Sequence, residues 1–233
     1  MLFSQDRVAA FINKHFEPAW ESVRPVPIVR IDFGNGKVLT RTLHGNILTS
    51  VCTPEGNLLD ALPGIYEETT YLDRLDQLRL LASHERMQPL PRRAAWVRAY
   101  HQRQAAVLKK GLPALRFLPA SLLAYVSKVS IEQPVEAVLV AVVPLPEAPR
   151  PRRKNLPADL ARWEALAEDT RLNETARRRQ VHELLARVGT VAPSAVTKPI
   201  YKDVLHADLD DPYLGLGKVL FENYPFARED GAN

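Results

Sequence analysis

Ile47-Leu48-Thr49-Ser50-Val51-Cys52-Thr53-Pro54-Glu55-Gly56-Asn57-Leu58-Leu59-Asp60-Ala61-Leu62-Pro63-Gly64 reads as two strands around one turn. Ile47 to Cys52 is apolar and rich in strand formers, and Leu58 to Leu62 is its antiparallel return. Between them, Pro54-Glu55-Gly56-Asn57 is a tight turn, because proline presets one φ and glycine tolerates a positive one. Pro63-Gly64 stops the second strand.

The pattern continues in both directions. Upstream, Val29 to Phe33 alternates apolar and polar residues. Gly34-Asn35-Gly36 suits a hairpin turn, Lys37 to Leu43 is the returning strand, and Gly45-Asn46 is a further turn. Before that, residues 5–16 carry Val8, Phe11 and Ile12 at helical spacing, with Ser4 as the N-cap and Pro18 as the stop. Downstream, Glu67 to Ala82 is a helix with Leu72, Leu75, Leu78 and Leu81 on one face. Pro89 and Pro91 mark a joint, and Arg92 to Lys110 is a long basic helix with Trp96, Tyr100 and Val107 as contacts, closed by Gly111. Ala120 to Val126 reads as a short helix and Val135 to Val143 as a buried strand. Pro144, Pro146, Pro149 and Pro151 make a stiff basic linker through Lys154. Two helices follow. The first, Pro157 to Asp169, uses Leu160, Trp163, Leu166 and Ala167. The second is capped by Asn173 and runs through Val188, with Val181, Leu184, Leu185 and Val188 inward and Gly189 at its end. In Tyr201 to Tyr224, Asp210-Asp211-Pro212 is a turn or helix start, and Leu216 to Phe221 a short helix. These signals divide the chain into an α/β part at 1–83, a basic helical segment with one apolar strand at 84–149, and a helical region at 150–233.

Composition bounds the function. The 233 residues are 46% hydrophobic and 25% charged, enough for a core. The apolar run Pro134 to Pro146, broken by Glu136, is far shorter than the ~20 residues of a membrane span. The first residues carry Asp6 and Arg7 with no apolar run, so no signal peptide is expected. The chain reads as soluble, its compartment unspecified. A single cysteine excludes an intrachain disulfide, a CxxC pair and a cysteine-rich zinc site. The net charge of +4 is blocky: 74–118 carries +8 and 150–179 carries +4 between acidic stretches. Internal complementarity is the ordinary reading. A basic face for nucleic acid or acidic partners is the sharper one, weakened by aromatics at helical rather than stacking spacing.

Three stretches carry a resemblance. Phe3 to Phe16, then Gly45 to Gly56, then Leu62-Pro63-Gly64-Ile65-Tyr66 before a helix, are similar to the later part of a thioredoxin-like domain. The likeness covers residues 3–81, about a third of the chain, and is one of element order. It implies an incomplete thioredoxin-like α/β sheet followed by a mainly helical C-terminal region. The family's strand–CxxC–helix unit would fall before residue 4, and its cis-proline position corresponds to Ile47. The resemblance therefore implies a scaffold without dithiol chemistry, since that chemistry needs a thiol acidified beside a second one. Two accounts remain open: a degenerate domain, or a start lying upstream of Met1. Without the first unit a strand edge stays unpaired, which a second copy of the chain would cover.

Candidate site residues are few. Cys52 is a lone thiol within an apolar strand, expected as a small buried hydrophobe. His206, Asp208, Asp210 and Asp211 gather an imidazole and three carboxylates that could ligate a hard divalent cation. The segment fails the EF-hand pattern, with Tyr213 and Val219 at the glycine and glutamate positions, and turn capping is its ordinary use. Arg177, Arg178 and Arg179 are candidate anion ligands. Successive residues fan out by ~100°, so one or more is expected to pair with Glu174 or Glu183 instead. His44 is an exposed turn residue, His182 a boundary residue, and Asn173-Glu174-Thr175 a sequon relevant only to a secreted chain. No nucleotide, zinc-protease or hydrolase motif occurs, and no cofactor is expected. The functional expectation is a redox-inactive protein-binding or assembly module, its partner another protein or a second copy. The alternatives are an enzyme or metal binder using 206–211, and a binder of nucleic acid through the basic helices.

Overall fold

The computed structural model describes residues 2–42, 47–118, 138–141 and 159–218. His44, the Gly45-Asn46 turn, the helix at 120–126, most of the strand at 135–143 and the proline-rich linker lie outside them.

Helix α1 (Asp6–His15) is followed by an extended segment and by hairpin β1 (Ile28–Asp32)–β2 (Val38–Thr42). Hairpin β3 (Leu48–Cys52)–β4 (Leu58–Pro63) leads into α2 (Glu68–Met87) and α3 (Leu90–Lys109). Short strands β5 (Arg116–Phe117) and β6 (Leu139–Val140) pair with each other. The C-terminal part holds α4 (Asp159–Leu172), a π-turn (Asn173–Arg177), α5 (Arg178–Val188), α6 (Ser194–Pro199) and a second π-turn (Ile200–Val204). The chain is thus a mixed α/β protein with a helical C-terminal part. Among the described residues its strands form three separate two-stranded antiparallel ladders.

Several boundaries differ from the sequence reading. Helix α2 runs past Ala82 to Met87 because His84 and Glu85 still face the core. Helix α3 starts at Leu90, since Pro91 sits in the first turn, where its missing N–H costs nothing. Asn173 does not cap a new helix. It is fully buried, its amide donates to Ile65 O at 2.7 Å, and the helical path runs through it into α5. That burial also removes the sequon from reach. Trp163 is 60% exposed rather than a core contact, and Val188 is exposed rather than inward.

Strand β4 is the centre of the molecule, buried at all six positions. The ladder slips between Val51 and Cys52, leaving Leu59 without a partner in the register. Such a bulge inverts the alternation of faces. Leu59 and Leu62 therefore join a cluster with Tyr71, Leu78, Leu81, Trp96 and Tyr100 from α2 and α3. Leu58 and Ala61 join the opposite cluster with Val181, Leu185, Ile200 and Leu205 from the C-terminal part. Residues from all three sequence segments meet around this one strand.

Candidate functional site

Asp60 sits in the middle of β4 with no solvent exposure. Two helices bring polar partners to it. On α3, Val97, Tyr100, His101 and Gln104 recur at one inner face; on α5, Arg178, Val181, His182 and Leu185 do the same. The i, i+4 spacing of Arg178 and His182 points both along one face, toward Asp60.

The carboxylate is saturated. Arg178 donates Nη1 to Oδ1 at 2.9 Å and Nη2 to Oδ2 at 2.8 Å. Tyr100 donates its hydroxyl to Oδ2 at 3.1 Å, and the Ala61 N–H donates to Oδ1 at 2.7 Å. Arg178 Nη1 also donates to Ala61 O at 2.7 Å. Burial pushes the Asp60 carboxyl up, but the Arg178 guanidinium outweighs it and holds the group well below the usual carboxylate range. The ion pair is therefore charged and internally neutral.

Beside it lies a histidine pair. His101 Nδ1 is 2.8 Å from His182 Nδ1, and His101 Nε2 is 2.9 Å from the carbonyl of the bulged Leu59. Burial drives His101 down to about 4, and drives His182 well below its ordinary value with help from Arg178. Both rings are neutral at pH 7, which fixes the tautomers by logic alone. His101 must donate Nε2–H to Leu59 O, so its Nδ1 accepts, and His182 must donate Nδ1–H. His182 Nε2 is left as a bare, buried acceptor with no hydrogen-bond partner.

Asp60, His101 and His182 each offer a ligand atom within 4.8 Å of the others, a geometry compatible with a metal ion. The chemistry is not compatible. The carboxylate lone pairs are occupied by four donors, Arg178 already supplies the positive charge, and a dication would break the His–His bond and add charge in a dry core. The cluster is a closed polar lock between strand and helices.

The accessible feature lies elsewhere. An open groove of about 1390 Å³ runs between α1, the segment after it, β3 and α2. Phe16, Trp20, Leu48, Tyr71, Leu75 and Tyr201 are among its walls. Arg24 ties the outer wall to the C-terminal part by donating to the carbonyls of Leu209, Asp211 and Pro212. Cys52 lines the groove half-buried, and burial pushes its thiol up, away from thiolate chemistry.

The other residues singled out from sequence are dispersed. Asp208 pairs with Lys202 at 2.7 Å and accepts the Asp210 N–H at 3.1 Å; Asp210 pairs with Lys198 at 2.6 Å. Asp211 accepts the N–H groups of Tyr213 and Gly215, at 2.7 and 3.1 Å, and His206 is exposed with φ of +53°. These carboxylates stabilise turns and meet lysines. Of the arginines, Arg177 pairs with Asp169 and Asn173, Arg179 with Glu183, and Arg178 is the buried partner of Asp60. Glu174 is taken by Arg74. His182 is fully buried rather than a boundary residue. Sequence reasoning missed Asp60 and His101; the available signals were a carboxylate inside an unbroken apolar strand and an imidazole four residues after Val97.

No protein-family model, no curated protein and no solved structure matches this chain.

Proposed function

We propose that this chain is a binding or assembly protein without dithiol chemistry, built on a thioredoxin-like scaffold. Its groove takes an extended apolar segment of another polypeptide. The observation that carries this reading is the groove itself. It exceeds the ~300–1,000 Å³ of small-molecule sites, and it opens to solvent, with Trp20 exposed and Phe16 and Leu48 half-buried above a floor that includes Tyr71 and Leu75. The chain's charged cluster, by contrast, is sealed, so a substrate has no route to it. The lone Cys52, with its raised thiol, supports the absence of disulfide exchange.

Peptides selected from a displayed random library test the reading. Apolar peptides should be enriched on the wild-type chain. They should be lost on Ala82→Trp, which fills the groove from α2. A folded Ala82→Trp protein that selects the same peptides as wild type, or no enrichment on either, would end the proposal. Turnover of a dithiol substrate by the purified chain would refute the redox-inactive part.

A further inference from the structure

The hairpin β1–β2 stands out from the body. Four of five β1 residues are exposed, and so are Phe33 at 59% and Val38 at 45%. Among the described residues β1 pairs with β2 alone, so its other edge presents free backbone groups. We propose that this edge pairs with the same edge of a second copy, antiparallel, across a two-fold axis through Ile31. This rests on the assembly reading above and names its partner.

The register fixes which groups face outward. Ladder partners sum to 70: Ile28 with Thr42, Ile31 with Leu39. Phe33 N–H donates to Lys37 O at 3.1 Å, so 33/37 is a hydrogen-bonded pair, and by alternation so are 31/39 and 29/41. Val29, Ile31 and Phe33 spend their backbone groups on β2. Ile28, Arg30 and Asp32 aim theirs at the open edge.

The sequence Val29-Arg30-Ile31-Asp32-Phe33 is self-complementary about Ile31. Arg30 meets Asp32 of the second copy, and Asp32 meets its Arg30, each as a hydrogen-bonded pair. Ile31 meets Ile31 in the closer non-hydrogen-bonded position, and Val29 meets Phe33 on the same apolar face. Shifting the axis to Arg30 or to Asp32 sets like charges opposite one another. A pair of copies so joined is an isologous four-stranded sheet, β2–β1–β1–β2. Asp32 Oδ1 accepts the Gly34 N–H at 2.9 Å, leaving its second oxygen for the arginine.

Sedimentation of the full chain over a wide concentration range is the test. Wild type should dimerise. Arg30→Asp should weaken the dimer about tenfold or more, since two like-charge pairs replace two opposite ones. Asp32→Arg should do the same, and an equimolar mixture of the two variants should recover it as a heterodimer. In a Cys52→Ala background, Ile31→Cys should form a disulfide dimer with oxidised glutathione, because that position brings Cα atoms within bridging range; Arg30→Cys should not. A monomer at every concentration overturns the inference. So does a dimer that Arg30→Asp leaves intact and that Cys at position 31 does not cross-link. Peptide binding in the groove of a monomeric Arg30→Asp chain would keep the assembly reading even if the edge proposal failed.

Discussion

Hairpins β1–β2 and β3–β4 are nearly the same length and end in opposite environments. Hairpin β1–β2 alternates apolar and polar residues around Gly34-Asn35-Gly36 and lies open to water. In hairpin β3–β4 the second strand is an apolar run interrupted by one carboxylate, and that strand is wholly buried. Turn chemistry makes both hairpins. What separates them is the number of faces that find partners: β4 is covered on both sides by clusters from distant helices, whereas β1 has β2 and little else. A charge in the first hairpin stays at the surface, free to meet another molecule; in the second it organises the interior.

The largest effect should come from removing that buried charge. Asp60→Ala leaves the Arg178 guanidinium buried without a counterion, and should cost about 3–5 kcal/mol in denaturant unfolding. Asp60→Leu with Arg178→Met should recover much of it, as buried pairs often yield to apolar ones of similar volume. The comparison breaks if Asp60→Ala unfolds no more easily than a hairpin variant such as Phe33→Ser.

Acid should distinguish the regions next. His101 has a folded value of about 4 against an ordinary 6.5. Below 6.5 the unfolded chain takes up a proton that the folded chain refuses. Stability is therefore full above about pH 6.5 and falls as pH drops toward 4, by roughly 3 kcal/mol for this ring, with His182 adding in the same direction. Unfolding midpoints measured between pH 7.5 and 4 check the slope. A flat profile would mean that the pair is already protonated or open to water.

The same substitution in each hairpin gives a finer contrast. Gly64, at the end of β4, has φ of +78°, and an added Cβ would lie 2.8 Å from the Asn173 amide. Gly36 has φ of +81° with nothing within 4 Å. Alanine should cost about 1 kcal/mol at Gly36, from the left-handed backbone alone, and more at Gly64, where Asn173 must also move. Equal losses would mean that the Asn173 contact is soft. Smallest of all, Phe33→Ser should shift folding stability by no more than about 0.5 kcal/mol.

Much of the fold was legible because local rules suffice for it. The turns at 34–36 and 54–57, the β3–β4 pairing, the leucine face of α2 and the stop at Gly189 follow from residue type and spacing. The site was less legible because it is made of long-range pairings. Asp60 and Arg178 are 118 positions apart. No periodicity links them, and a polar residue on an otherwise apolar face reads as a boundary until its partner is known. Arg178 stood among three candidate anion ligands for the right chemical reason, since it does bind a carboxylate, but that carboxylate belongs to the protein's own core. The bulge at Leu59 is invisible in composition, yet it frees the carbonyl that orients His101.

The turn at Asn173–Arg177 has a geometric consequence of its own. A π-turn accommodates one residue more than an α-turn, so it resets the phase of everything that follows by about 100°. Helices α4 and α5 form one continuous rod through this turn: Asn173 and Glu174, at the start of the turn, address Ile65 and Arg74, and Arg178 and His182, beyond it, address Asp60. A one-residue deletion there would bring the halves back into step, and one set of contacts would have to swing away from its target. The angular offset between two sections of a single shaft is thus what lets one helix fasten the buried strand at its middle, through Asp60, and just past its end, through Ile65.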